Sequence, residues 1–130
     1  MVRRTATLAL LLGFFFGGRT AHADPSASEL LAARELFREA EADEQRGNFE
    51  AALEKMKRVA RVKSTPGVRV HIAYAEEKIG NLVAALDDYT NAEREALEEK
   101  PEKRDELLRS IRPALERLRS VVPQLKVEMD

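Results

Sequence analysis

The sequence predicts an all-α protein of repeated helical hairpins, and three observations carry that prediction. Aromatic residues make up 5% of the chain, cysteine is absent and Ala, Leu, Glu, Lys and Arg dominate, the profile of a helix-rich chain without disulfide staples. Apolar residues recur at i, i+3, i+4 spacing along most of the chain after residue 26. Two stretches also echo each other at one constant offset: Gly47-Asn48-Phe49 aligns with Gly80-Asn81-Leu82, Ala52 with Ala85, Leu53 with Leu86, Met56 with Tyr89 and Val59 with Ala92. A fixed period of that size marks stacked helical units.

Residues 1–23 are read apart from the fold. Arg3 and Arg4 form a basic start, Ala6 to Gly18 is an uncharged run rich in Leu and Phe, and Ala21-His22-Ala23 has the small-x-small pattern of a cleavage site. These are the parts of a secretory signal peptide cleaved after Ala23. The apolar run is about 13 residues, short of the about 20 that a membrane span needs, so a retained anchor is the lesser alternative. No cysteine follows to take a lipid. Cleavage removes Arg3, Arg4 and Arg19 but no acidic residue, which moves the net charge from −1 to −4. That balance argues against nucleic acid or an anionic membrane as partner, with membrane contact only transient, through the signal peptide.

Ser26 and Glu29 have the spacing of a capping box, opening a first helix to about Arg46 with Leu30, Ala33, Leu36, Phe37 and Ala40 on one face. Gly47 ends it, and Asn48 is placed to cap the next helix, Phe49 to about Lys63, whose stripe is Phe49, Ala52, Leu53, Met56, Val59 and Ala60. Thr65 and Pro66 open a third helix to Ile79, with Val68, Ile72, Ala73 and Ala75 apolar. Gly80 and Asn81 repeat the stop and the cap, and the fourth helix carries Leu82, Ala85, Leu86, Tyr89 and Ala92. From Pro101 a fifth stretch to residue 122 presents Leu107, Leu108, Ile111, Leu115, Leu118 and Val122. A proline inside it predicts a kink or a break near Pro113. Pro123 is expected to end it, leaving residues 123–130 as an irregular or strand-like tail.

The strings QRGNFEAALEKMKRVARV and KIGNLVAALDDYTNAERE resemble the tetratricopeptide repeat, with its Gly-Asn-apolar turn followed by alanine, a large residue and a small one. The likeness covers about residues 32–96 and is stronger in the second helix of each hairpin. Leu36 and Ala40 fall where the family places tryptophan and glycine, Ile72 and Ala73 suit its Leu-Gly pair, Arg69 replaces the second tryptophan, and Asp43 and Glu76 replace a tyrosine. The resemblance implies two degenerate repeats, about 32–63 and 66–96 within a domain of residues 24–100. Residues 101–122 would then cap the open end of the second, since a hairpin cannot bury its face alone. Homodimerisation through that end is the other way to cover it. The layout is similar to exported bacterial proteins in which a signal peptide, two such repeats and a charged helix lead through a Pro-x-Leu-x-Val segment into a β-rich domain. Pro123-Gln124-Leu125-Lys126-Val127 matches that segment.

The residues do not assemble a catalytic site. The mature chain has one histidine, His71, and zinc wants three or four ligands at set spacings; Glu76 and Glu77 are its nearest acidic neighbours in sequence. No nucleophile elbow, zincin or phosphate-binding run is present, and neither enzyme activity, metal nor cofactor is expected. The carboxylates read as solvated helix faces with i,i+4 pairs. The family resemblance implies instead a concave face lined by the first helices, here Phe37, Glu41, Glu44, Val70, Tyr74, Glu77 and Lys78. The family's carboxylate-binding Lys and Asn are missing, with Phe37 and Glu41 in two of their places, so a basic-apolar protein segment is the expected partner. The resulting expectation is an exported scaffold in the periplasm or outer-envelope space of a Gram-negative bacterium. A stability-only helical part of a longer protein, whose β-domain does the binding, is the alternative. N-terminal sequencing of exported protein is expected to begin at Asp24; a start at Met1 would establish a retained anchor.

Overall fold

A computed structural model describes residues 23–128 of the chain; the expected signal peptide, residues 1–23, lies almost wholly outside them. The described residues are all-helical: α1 (Ala27–Gln45), α2 (Phe49–Val62), α3 (Pro66–Lys78), α4 (Leu82–Ala96) and α5 (Pro101–Glu128). Each helix packs on the next in order, and α5 also reaches back to α3. Short connections make neighbours antiparallel. Among the described residues no helix is long and apolar enough to cross a membrane.

The helix ends follow from local chemistry. Ser26 Oγ accepts from the Glu29 N–H at 3.2 Å while the Ser26 N–H donates to Glu29 Oε2 at 2.7 Å, so both halves of the capping box form. Thr65 Oγ1 accepts from the Val68 N–H at 3.2 Å, with Pro66 at the first helical position. The two turns that repeat in sequence repeat in geometry. Gly47 and Gly80 take φ of 78° and 88°, a region open to glycine and strained for other residues. Their N–H groups donate to Glu44 and Glu77, and the N–H groups of Asn48 and Asn81 donate to Asp43 and Glu76, at 2.8 and 2.9 Å. Each turn is thus a Schellman motif that satisfies two carbonyls at a helix end. Asn48 and Asn81 do not cap with their side chains as the sequence suggested; their N–H groups close the preceding helix and their carbonyls accept from Ala52 and Ala85 of the next.

Two apolar clusters result. One joins α1, α2 and one side of α3 through Ala33, Ala40, Leu53, Met56, Val59, Val68, Ile72 and Ala75. The other joins α3, α4 and α5 through Ala73, Ala85, Tyr89, Ala92, Ile111, Leu115, Leu118 and Val122 among others. Ala52 and Ala85 are fully buried at matching positions. A larger side chain at either would force the neighbouring helix outward, at roughly 1–3 kcal/mol.

Helix α5 departs from the sequence reading twice. It runs unbroken through Pro113 and Pro123 to Glu128, so the break near Pro113 and the strand-like tail over 123–128 are both replaced by helix. Pro113 and Arg109 lie on the exposed side, where the carbonyl that loses its partner can bond to water. Ile111, Ala114, Leu115, Leu118 and Val122 are meanwhile buried in one stripe that holds the helix on α4. The register supplies a second reason. Turn glycines stand at 47 and 80, and the next station at that period, residue 113, is proline. The pyrrolidine ring locks proline at negative φ, so residue 113 cannot repeat the positive-φ Schellman turn of the two earlier stations. Because Pro113 is exposed and only removes a helix hydrogen bond, Pro113→Ala is expected to raise stability by about 1–3 kcal/mol in urea unfolding. An unchanged or lower stability would mean that α5 needs the proline to follow α4.

Candidate functional site

The seven residues expected to line one concave face fall at separate stations. Phe37 and Glu41 project from α1 into an open pocket of about 380 Å³ whose floor is Leu30, Ala33, Phe37, Val59 and Val68. Arg34, Arg38, Glu41 and Lys63 complete its lining. The pocket exists because α3 begins only after the Lys63–Thr65 connection, leaving the N-terminal half of α1 uncovered beside the end of α2. Among the described residues Arg34 and Lys63 have no ion pair, while Arg38 meets Glu35 at 3.3 Å on the exposed helix face.

Glu44 is engaged inside the fold. Its carboxylate lies 2.9–3.0 Å from His71 Nδ1, and Glu41 stands 4.0 Å from the other ring nitrogen. Phe37 meets the same imidazole edge to face, 5.0 Å between centroids. His71 therefore takes its carboxylate partners from α1, two helices earlier in the chain, and not from the neighbouring Glu76 and Glu77. Sequence spacing carries no signal for that contact, because it depends on how α3 stacks against α1. Among the described residues no three His, Cys, Asp or Glu side chains converge as metal ligands.

Val70 packs against the cluster of α4 and α5. Glu77 is held by Arg117 of α5, whose Nη2 donates to Oε1 at 3.0 Å, and by the Tyr89 hydroxyl at 3.3 Å. Burial first, and the Glu77 charge second, push the Tyr89 phenol well above its ordinary range. Tyr74, 36% exposed, packs edge-on to Phe49, and the Lys78 ammonium sits 5.4 Å over its ring. The structure therefore brings together Phe37 and Glu41 at the pocket, Glu41 and Glu44 around His71, and Tyr74 with Lys78. It places Val70 against the α4–α5 side of α3 and ties Glu77 to α5. Leu30, Arg34, Arg38 and Lys63 were missed. Their signal is Arg34 and Arg38 on either side of Phe37, a pattern indistinguishable in sequence from an ordinary solvated face.

No family model, curated protein or solved structure matches the chain.

The bidentate Arg117–Glu77 contact fastens α5 across to α3, yet the arginine is half exposed. A double-mutant cycle of Glu77→Gln and Arg117→Gln is expected to give a coupling of roughly 0.5–1 kcal/mol. A coupling near zero would show that this ion pair adds nothing to the hold of α5 on α3.

Proposed function

We propose that the chain is a non-enzymatic, exported interaction module of the tetratricopeptide kind, with two hairpins, α1–α2 and α3–α4, and α5 as their cap. In this reading it holds a segment of another protein in the pocket between α1 and the start of α3. The family assignment is supported by the recurrence of the Gly-Asn turn at one period, with the same hydrogen bonds and the same positive φ in both copies. Burial of Ala52 with Ala85, Met56 with Tyr89 and Val59 with Ala92 supports it at the same period. Export rests on the pattern of Arg3-Arg4, the apolar run and Ala21-His22-Ala23.

One observation carries the binding reading: an open pocket with an apolar floor and cationic residues uncommitted at its rim. Concave apolar sites with a few placed charges are where ligands bind. The expectation of a basic-apolar partner rested on the missing Lys and Asn of the family's clamp and on exposed aromatics in a groove with Glu41, Glu44 and Glu77. Glu44 is spent on His71 and Glu77 on Arg117, while Arg34 and Lys63 remain for a partner. Support therefore moves to a segment with an apolar anchor flanked by Asp or Glu.

The test is a panel of labelled peptides sharing one Leu-Phe anchor and flanked by acidic, basic or neutral residues, measured by fluorescence anisotropy. The acidic set is expected to bind about tenfold more tightly than the basic set at low ionic strength and to lose most of that advantage in high salt. Phe37→Ala is expected to weaken all sets, and a double Arg34→Glu, Lys63→Glu variant to reverse the preference. Equal binding by all sets, or binding indifferent to Phe37→Ala, would reject the pocket as the site.

A further inference from the structure

Each hairpin buries one acidic residue at the same station, Asp43 in the first and Glu76 in the second, each 4% exposed. The two are separated by the same period as the turn glycines and lie at the ends of α1 and α3, where their carbonyls close the Schellman turns. Their charged surroundings differ. Lys55 of α2 reaches Asp43 at 2.6 Å and Arg46 reaches it at 2.7 Å. These hydrogen bonds, Lys55 first, hold the Asp43 carboxyl below the usual range and hold the Lys55 ammonium above its own.

In the second hairpin the residue at the station of Lys55 is Asp88, so α4 offers Glu76 a carboxyl where α2 offered Asp43 an ammonium. Asp88 acts on Glu76 as a neighbouring carboxyl and disfavours its charged form. The nearby cation, Arg69 on α3 itself, donates to Asp88 at 2.9 Å and to Glu95 at 3.0 Å and is not bonded to Glu76. From α2 the facing charge is Lys57, 3.7 Å from Glu76 Oε1 and about half exposed. Glu76 Oε2 is buried and has no hydrogen-bond partner. A buried acceptor oxygen without a donor, next to a second carboxyl, is costly for an anion. The conflict resolves if one carboxyl is an acid, because the same oxygen then becomes a donor.

We propose that Glu76 is a proton-operated latch of the α3–α4 hairpin: the folded protein keeps a proton on it, shared with Asp88, and loss of that proton loosens the seam. Burial first, and Asp88 second, push the Glu76 carboxyl up to about 7, with Lys57 opposing. The sign for stability follows by linkage. Below the unfolded value of 4.5, Glu76 is neutral folded or unfolded and costs nothing. Between 4.5 and about 7, the unfolded chain releases the proton and the folded one retains it, so stability falls as pH rises. Above that window the penalty is complete. Asp43, whose carboxyl is depressed, works the opposite way and weakens the first hairpin only in acid. The two hairpins thus carry opposed pH responses at one structural station.

The test is a carboxyl-carbon NMR titration of the protein with urea unfolding at about pH 5 and about pH 8, in wild type, Glu76→Gln and Asp88→Asn. Wild type is expected to lose about tenfold or more in its folding constant between the two conditions. Glu76→Gln, which supplies a permanent donor to Asp88, is expected to remove that fall and to exceed wild type at the higher pH. Asp88→Asn is expected to lower the Glu76 midpoint. A Glu76 midpoint near the ordinary glutamate value, or a Glu76→Gln profile falling in parallel with wild type, would overturn the proposal. A midpoint unmoved by Asp88→Asn would overturn the sharing of the proton.

Discussion

Everything in the fold depends on α3 being buried on two sides. Val68, Ile72 and Ala75 face α1 and α2, while Ala73 and the partly buried Val70 face α4 and α5. Thirteen residues, about 20 Å of helix at roughly 1.5 Å each, therefore separate two apolar clusters that would otherwise each lack a wall. A helix covered on opposite flanks leaves little room for polar side chains, and most of those it keeps are satisfied from neighbouring helices, Glu76 Oε2 being the exception. His71 finds Glu44 in α1, Arg69 finds Asp88 and Glu95 in α4, and Glu77 finds Arg117 in α5. These contacts cross between helices, so each also fixes how one hairpin sits against the next.

The same constraint explains why the residues at the expected groove divide. Helix α1 has neighbours on fewer sides than α3, so its outward residues stay open to solvent and form the pocket around Phe37. At the matching stations of α3, Val70 packs into the cluster shared with α4 and α5, Tyr74 lies on Phe49 of α2, and Glu77 bonds to Arg117 of α5. A concave face continuous over both hairpins would need α5 to stand farther from α3 than it does. The open pocket with its cationic rim accordingly lies at the start of the described helices.

Features that depend on local chemistry were legible in the sequence. Ser26 and Glu29, Thr65 and Pro66, and the glycines at 47 and 80 marked the helix ends because a cap or a positive φ admits few residue types. The buried stripe of each helix was legible for a similar reason: helical periodicity leaves a pattern wherever one side faces water. Asn48 and Asn81 misled, since the same residue suits a side-chain cap and a Schellman turn. Contacts between helices distant in sequence, such as Glu44 with His71, left no trace in spacing. Pro113 was read as a local breaker because its cost is local. The burial that offsets that cost belongs to the whole of α5.

The proline at residue 113 has a consequence for how such a fold could lengthen. A stack of hairpins is an open-ended polymer: each unit presents the surface on which another can be laid, and the turn glycine permits the reversal that makes a unit. Where the glycine station holds proline, the positive-φ turn cannot recur, and the helix continues along the last growing face and covers it with Leu108, Ile111, Leu115 and Leu118. Residue 113 thus marks where the repeated turn stops and a covering helix takes its place.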